Sequence, residues 1–414
     1  GSRKTLTDTA LNTAKAGYLT QRLVNVAQEV VITTEDCGDE HGRLVTKAHT
    51  SALDPSLANL LKGRVLAKEV KVNGKTLFKK GHLLTRDEAR EIEAAGVTEV
   101  LIRTLLTCKA AQGVCTKCYG YDLGRGHLVK QGEAVGIVAA QAIGEPGTQL
   151  TMRTKHSGGV DVGGDIVGGL PRVEEVFERR VPKHAAIIAE SDGVITEVLQ
   201  GEKETTVKML AESKAGSKQG AELEYSTVTF RTILVKNGDE VKRGQVLSDG
   251  PVNLQDLFKY AGKEAVEDYV IRAINAIYEL QSASISRKHL ELIIRQMFSR
   301  RLVKDGGDTQ FESGEVIENV ELLEANDGVK KKGGKEAVAE TLLLGISEVS
   351  LTTSSFLAGR LAYNAGRIVT YCVMGLVFGL LGQTLLLAGV QRWVSIALGV
   401  ALLAGLLASR IRFT

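Results

Sequence analysis

The chain has 414 residues, 43% of them hydrophobic and 24% charged, and a formal net charge of +3. That length exceeds one ordinary domain and implies several, while five cysteines in such a chain exclude a disulfide-stapled secreted scaffold. The charge hides two unlike parts: residues 358–414 carry five arginines and no acid or lysine, and the first 357 residues hold 47 basic side chains against 49 acidic ones, which excludes a chain-wide basic footprint for nucleic acid.

Residues 5–30 predict one long helix, with Leu6, Ala10, Ala14 and Tyr18 at i,i+4 spacing. Its middle is rich in Thr, Ala and Gly, a poor free-standing helix that suits close packing against a neighbour. Residues 60–107 hold short β-rich runs around a helix, "RDEAREIEAAG", that stops at a glycine. The first 357 residues read as cytosolic.

Cys108, Cys115 and Cys118 lie in "CKAAQGVCTKC". A C-x-x-C knuckle with a third cysteine seven residues upstream is a pattern for structural zinc, because a tight turn brings two thiolates to one ion at once. Four ligands are required. Cys37, in "TTEDCGDEHG", is the favoured fourth, with His41 its rival. The bland alternative is a set of reduced, buried cysteines. A redox C-x-x-C is disfavoured, since no thioredoxin-like βαβ pattern surrounds it. Cys372 lies in an apolar run and reads as a small hydrophobic residue.

Residues 131–144, "QGEAVGIVAAQAIG", predict a buried helix of small residues. Pro146 and Gly147 are expected to break it. Gln149, Met152, Arg153 and His156 then follow at i, i+3, i+4 and i+7, one stripe of a helix that cannot be a core face. Arg offers a fork of donors to phosphate oxygens, and His can give a hydrogen bond or a proton near neutral pH. Met offers a polarizable surface to a base, and Gln can bond a sugar hydroxyl. One face thus carries a contact for each part of a nucleoside triphosphate. Six glycines in "GGVDVGGDIVGG" (158–169) predict a helix that folds on substrate and unfolds on release. An ordinary surface helix of mixed residues is the competing reading.

Downstream, "PRVEEVFERR" predicts a helix with Pro near its start. Residues 184–250 are β-rich. Within them "NGDEVKRGQVL" resembles the turn of lipoyl or biotinyl carrier domains, but no acceptor lysine accompanies it, so it reads as a barrel element only. Residues 252–303 predict two amphipathic helices, the second capped by Ser286, and 304–340 predict mostly loop. In the tail, 24 residues from Ile368 to Gln391 and 17 from Trp393 to Ser409 carry no charge. About 17–25 apolar residues span a bilayer, so 368–409 predict a transmembrane hairpin.

Four stretches carry a resemblance. "GSRKTLTDTALNTAKAGYLTQRLV", "CKAAQGVCTKCYGYDLGRGHLV", "GEAVGIVAAQAIGEPGTQLTMRT" and "LLLGISEVSLTTSSF" occur in that order. They resemble the C-terminal half of the largest catalytic subunit (β′) of bacterial RNA polymerase, over residues 1–357. The resemblance implies that residues 1–24 are most of the bridge helix, with Thr13 and Ala14 facing the paired nucleotide, and that the chain starts at a fragment boundary. It implies that Cys37, Cys108, Cys115 and Cys118 form the second zinc site. It makes 145–178 the trigger loop, in which Gln149, Met152, Arg153 and His156 contact the incoming nucleotide, with Arg153 and His156 as the catalytic pair.

The family differs at three points. Lys155 stands where a Phe is usual, Asn12 replaces a usual Lys, and the Asn-Ala-Asp-Phe-Asp-Gly-Asp loop that holds catalytic magnesium is not in this sequence. Asp36, Asp39 and Glu40 are no substitute and read as a solvated turn. Mg2+ would therefore belong to the full enzyme, and the isolated chain is expected to be inactive. After Leu357, "GRLAYNAGRIVTYCVMGLVFGLLG" looks like the membrane domain of a cytochrome-biogenesis or sulfite-exporter-like transporter.

The expectation is an α+β multidomain chain. Its parts are the bridge helix (1–30), a zinc-binding module (31–130), the trigger loop with flanking helices (131–180) and a β-rich barrel or sandwich-hybrid jaw (181–250). Cleft-side helices and a loop (251–357) and a transmembrane-like hairpin (358–414) complete it. Its expected partners are the polymerase β, α and σ subunits, template DNA, transcript RNA and nucleoside triphosphates, in the cytoplasmic nucleoid. The alternative is a zinc-stabilised, membrane-anchored binding protein built from polymerase-like modules.

Overall fold

A computed structural model describes residues 2–50, 55–72, 74–153, 169–201, 204–211, 221–228, 231–280, 282–351 and 364–376, with side chains excluded over 2–12 and 148–153. The chain divides into two compact units, Gly1–Ser350 and Leu351–Thr414. The first is a mixed α+β assembly.

Helix α1 (Ser2–Ala27) is the expected long helix. It buries Ala16, Leu19, Leu23, Val26 and Ala27, the apolar stripe of its C-terminal half. Next come β1 (Ile32–Thr34), β2 (Arg43–Thr46), α2 (Leu57–Leu61), β3 (Val70–Val72), β4 (Lys75–Phe78), α3 (Arg86–Ala94), β5 (Glu99–Ile102), β6 (Val114–Cys115) and α4 (Thr116–Tyr119). Strands β2 and β5 pair antiparallel, with Val45 opposite Val100, and β3 and β4 form a hairpin. These elements enclose a small core of their own around Leu57, Leu61, Leu84, Ile92 and Ile102. Helix α3 starts where Thr85 and Glu88 bond each other's backbone amides. That reciprocal cap satisfies two orphan donors of the first turn.

Helix α5 (Val135–Arg153) corrects the sequence reading: it runs through Pro146 and Gly147 instead of stopping there. An interior proline costs a helix about 3 kcal/mol. Packing outweighs that here, because Ala139, Ala140 and Ile143 are fully buried and the Tyr278 hydroxyl donates to the Ile143 carbonyl at 2.8 Å. Gly136 and Gly144 let α5 lie directly on α1: a Cβ on Gly136 would sit 1.8 Å from the Ala27 carbonyl oxygen, and one on Gly144 2.2 Å from Thr20 Oγ1. Helix α6 (Leu170–Phe177) follows, with Pro171 in its first turn as expected.

Strands β7 (Gly193–Gln200), β8 (Glu204–Ala211), β9 (Glu222–Val228) and β10 (Glu240–Val241) form an antiparallel half-barrel sheet in the order β10-β7-β8-β9. Along β8, Thr205, Val207, Met209 and Ala211 point inward at the period of two that a one-sided sheet demands. The predicted helix pair is three helices, α7 (Leu254–Ala261), α8 (Lys263–Glu279) and α9 (Arg287–Met297), because Gly262 breaks the first from the second. Ser286 occupies the N-cap position of α9, but its side chain makes no capping bond. The expected loop at 304–340 is also corrected. With β11 (Arg300–Asp305), β12 (Val316–Glu318), α10 (Asn319–Lys331) and β13 (Val338–Thr341), it builds a three-stranded sheet ordered β12-β11-β13. Val303, Ile317, Leu322 and Ala337 give that sheet a core small enough to escape a hydropathy reading. Helix α11 (Ile346–Leu351) ends the series.

In the second unit, residues 364–376 are helical and exposed throughout. Among the described residues no helix is long and apolar enough to cross a membrane. The expected hairpin at 368–409 lies outside the described residues from 377 onward.

Candidate functional site

The parallel pairing of β1 with β6 sets Thr34 beside Cys115 and so carries Cys37 to the knuckle. Gly113 permits the close approach: its φ is +61°, and a Cβ there would meet the Val31 carbonyl oxygen at 2.1 Å. Cys108 arrives from the loop after β5, and Cys118 from α4. The four sulfur atoms of Cys37, Cys108, Cys115 and Cys118 lie within 4.8 Å of one another, three of the residues being buried. Zinc–sulfur bonds of about 2.3 Å in a tetrahedron need sulfurs about 3.8 Å apart. The Cys37 and Cys118 sulfurs are 3.7 Å apart, so the cluster fits the ion. His41, the rival ligand, is exposed and outside the cluster.

Backbone amides support the sulfurs. The Cys115 amide donates to Cys108 Sγ at 3.4 Å, the Cys118 amide to Cys115 Sγ at 3.3 Å, and the Lys109 amide to Cys37 Sγ at 3.3 Å. Hydrogen bonds among the thiols divide the charge unevenly. Cys115 is drawn far below the ordinary thiol range by hydrogen bonds from Cys108 and Cys118. Cys108 is pushed up to about 11, chiefly through its bond to Cys115.

Sequence reading missed Arg103, which is 5% exposed. Its Nη2 lies 3.2 Å from Cys37 Sγ, 3.5 Å from Cys115 Sγ and 3.3 Å from Cys118 Sγ, and also donates to Asp36 Oδ1 at 2.8 Å. Burial opposes its charge, but bonds to Cys118 and Asp36 more than compensate and hold it protonated. Burial likewise raises the Asp36 carboxyl, yet Lys117, the Gly38 amide and Arg103 outweigh this and hold it at about 2. The solvated-turn reading holds for Glu40, which is exposed, but is corrected at Asp39. Asp39 is 2% exposed and accepts from Thr107 Oγ1 at 2.7 Å and from the His41 amide at 3.2 Å. Its sequence signal was the Asx pattern Asp-x-x-Gly before a strand.

Helix α9 clamps this centre. Arg295 donates to the carbonyls of Leu105, Cys108, Ala110 and Gly113, the loop that carries Cys108. Glu291 receives a two-pronged bond from Arg64 at 2.8 and 2.7 Å, and Lys288 Nζ caps the Gly63 and Tyr121 carbonyls at 3.0 Å each. Burial would raise the Glu291 carboxyl, but Arg64 and Arg287 overcome it and keep it ionised. His289 is pushed down to about 4 by burial, Lys288 and Arg64.

The nucleotide-contact residues are placed more sparsely. Thr13 and Ala14 are exposed on α1. Gln149, Met152 and Arg153 belong to the last turns of α5 by backbone, and His156 lies outside the described residues. Both flanks of that segment are tied to α1. Helix α5 lies against it through Gly136 and Gly144. Helix α6 is joined by Arg22, which pairs with Glu174 at 2.8 Å and with Glu178. Glu178 also accepts from Ser347 Oγ at 2.6 Å, drawing α11 to the same point.

A long helix laid on a proline-containing partner, beside a four-cysteine knuckle and a half-barrel sheet, defines a multidomain α+β segment with a metal-type centre. The family model for RNA polymerase Rpb1, domain 5, matches residues 1–353, and the chain belongs to that family. A second family model, described as cytochrome C biogenesis protein transmembrane region, matches residues 341–413. Curated relatives carry the name DNA-directed RNA polymerase subunit beta'. One from Thermoanaerobacter sp. is 44% identical over 385 residues, covering 92% of this chain and 32% of the relative. One from Caldicellulosiruptor saccharolyticus is 42% identical over 374 residues, covering 89% and 31%. One from Clostridium botulinum is 40% identical over 387 residues, covering 92% and 32%. The chain thus spans about a third of the length of these relatives.

Proposed function

We propose that this chain is a segment of an RNA polymerase β′ subunit and serves template-dependent RNA synthesis as part of the full enzyme, in the cytoplasm. Helix α1 is its bridge helix and residues 145–178 its trigger loop. Gln149, Met152, Arg153 and His156 contact the incoming nucleoside triphosphate, Arg153 and His156 at its phosphates, with Thr13 and Ala14 facing the paired nucleotide. Phosphoryl transfer relies almost wholly on positioning and electrostatic stabilisation, which is what such a stripe can supply. Magnesium ligands, template, transcript and the β, α and σ subunits belong to the rest of the assembly. Cys37, Cys108, Cys115 and Cys118 hold a structural zinc ion.

The observation that carries this reading is the attachment to α1 of both flanks of the stripe, through Gly136 and Gly144 of α5 and through Arg22 to Glu174 and Glu178 of α6. A segment that changes shape between two such anchors moves relative to one fixed helix. The test uses a complete polymerase bearing this segment. His156→Ala and Arg153→Ala are expected to slow single-nucleotide addition strongly, and unchanged addition rates for both would overturn the assignment. The 414-residue chain alone is expected to make no RNA; template-dependent synthesis by it would overturn the division of labour.

For the second unit, we infer that residues 368–409 form a hairpin in lipid. The similarity of 341–413 to a membrane region and the two charge-free runs support this. Resistance of the chain to carbonate extraction from membranes is expected, and release into the supernatant would count against it. Removing 358–414 is expected to raise soluble yield with bound zinc retained.

A further inference from the structure

Four thiolates around one Zn2+ leave two net negative charges in a site from which water is largely shut out. Such a charge needs compensation nearby. Arg103 is the buried cation that supplies it. Its Nη2 touches the sulfurs of Cys37, Cys115 and Cys118 at 3.2 to 3.5 Å, and its Nε adds a second bond to Cys118 at 3.3 Å. These three sulfurs form one face of the tetrahedron. The fourth, Cys108, is served from behind, where Arg295 grips the carbonyls of its loop. The two arginines thus divide the work: Arg295 fixes backbone, and Arg103 faces sulfur.

We propose that Arg103 is a positioning residue of the metal centre, a guanidinium cap on the Cys37–Cys115–Cys118 face that is latched by Asp36 and governs how firmly zinc is held. The proposal rests on the reading that the four cysteines bind zinc. Asp36 holds Nη2 at 2.8 Å and is itself held by Lys117 at 2.8 Å, so the cap is oriented from the solvent side. A lysine could bring the charge but not the planar fork that meets several sulfurs together. Outer-shell partners of this kind typically change metal affinity 10–100-fold.

The test uses the purified 414-residue chain and its R103Q, R103K and D36N variants. Zinc per chain, the rate of zinc transfer to a colorimetric chelator, and the absorption spectrum of the Co2+-substituted protein are measured. Wild type is expected to hold one zinc ion. R103Q is expected to release it about 10–100-fold faster and to shift the sulfur-to-cobalt charge-transfer band. R103K should fall between the two, and D36N should release faster than wild type with a smaller spectral shift. A folded R103Q chain with wild-type release and an unchanged cobalt spectrum overturns the proposal while leaving zinc binding intact. A wild-type chain that binds no zinc overturns the zinc reading and this proposal with it. Should R103Q fail to fold, R103K and D36N decide: wild-type release rates in both overturn the cap.

Discussion

The cysteine centre and the half-barrel sheet are built by opposite means. The sheet is self-sufficient. Its strands follow one another along the chain, and Ile187, Ile195, Val207, Met209, Val241 and Leu247 close over a core of their own. The cysteine centre has almost no apolar interior to itself: its strands β1 and β6 run three and two residues, about eighty positions apart. Its walls come from elsewhere: Cys108, Cys115 and Cys118 sit at the edge of the large core that also holds α1, α5 and α9, and Arg295 of α9 grips the loop that carries Cys108. Periodic burial lets neighbouring strands build a region alone, whereas sulfurs drawn from distant parts of the chain converge only where other elements hold their backbone.

The largest effect expected from that contrast is metal loss. Structural zinc can contribute on the order of 10 kcal/mol to a small site. Cys115→Ser should therefore abolish zinc binding and unfold residues 31–130, while amide exchange in β7–β9 stays protected. Loss of protection in both regions together would show that the sheet does not stand alone.

Next is Glu291→Ala, which strands Arg64 without its buried partner. Such losses cost about 3–5 kcal/mol, read as a lower denaturation midpoint, and zinc should leave more easily as the clamp loosens. A midpoint within experimental error of wild type would show that the module docks by other means. Met209→Ala provides the opposite arm. Truncating a fully buried Met in the sheet should cost about 3 kcal/mol and leave zinc content at one per chain.

The smallest effect is a pH dependence. His289 is buried and neutral, with a value near 4 in the fold against an ordinary 6.5. The unfolded chain therefore binds the extra proton as pH falls through that window, and stability drops. At pH 5 the loss is about 2 kcal/mol relative to pH 8. His289→Phe should flatten the stability curve between pH 6.5 and 4. Asp36, held at about 2 against an ordinary 3.8, contributes only below that window. An unchanged slope in the variant would mean that His289 does not set the acid sensitivity.

From the sequence came the long helix α1, the β-rich character of 184–250, the helix α3 with its terminal glycine, and the cysteine knuckle at 108–118. Each is written in local spacing, which backbone geometry obliges neighbours to honour. Tertiary structure decided the rest. It carried α5 through Pro146, because burial against α1 and α9 outweighs one lost backbone bond. It turned 304–340 into a strand–helix–strand unit around four buried side chains too few to register as a period. It brought Arg103 to three sulfurs, and Asp39 out of solvent onto Thr107. Those pairings join residues 12 to 68 positions apart. Spacing along the chain carries no trace of such a contact, since only the folded backbone sets the distance between its two ends.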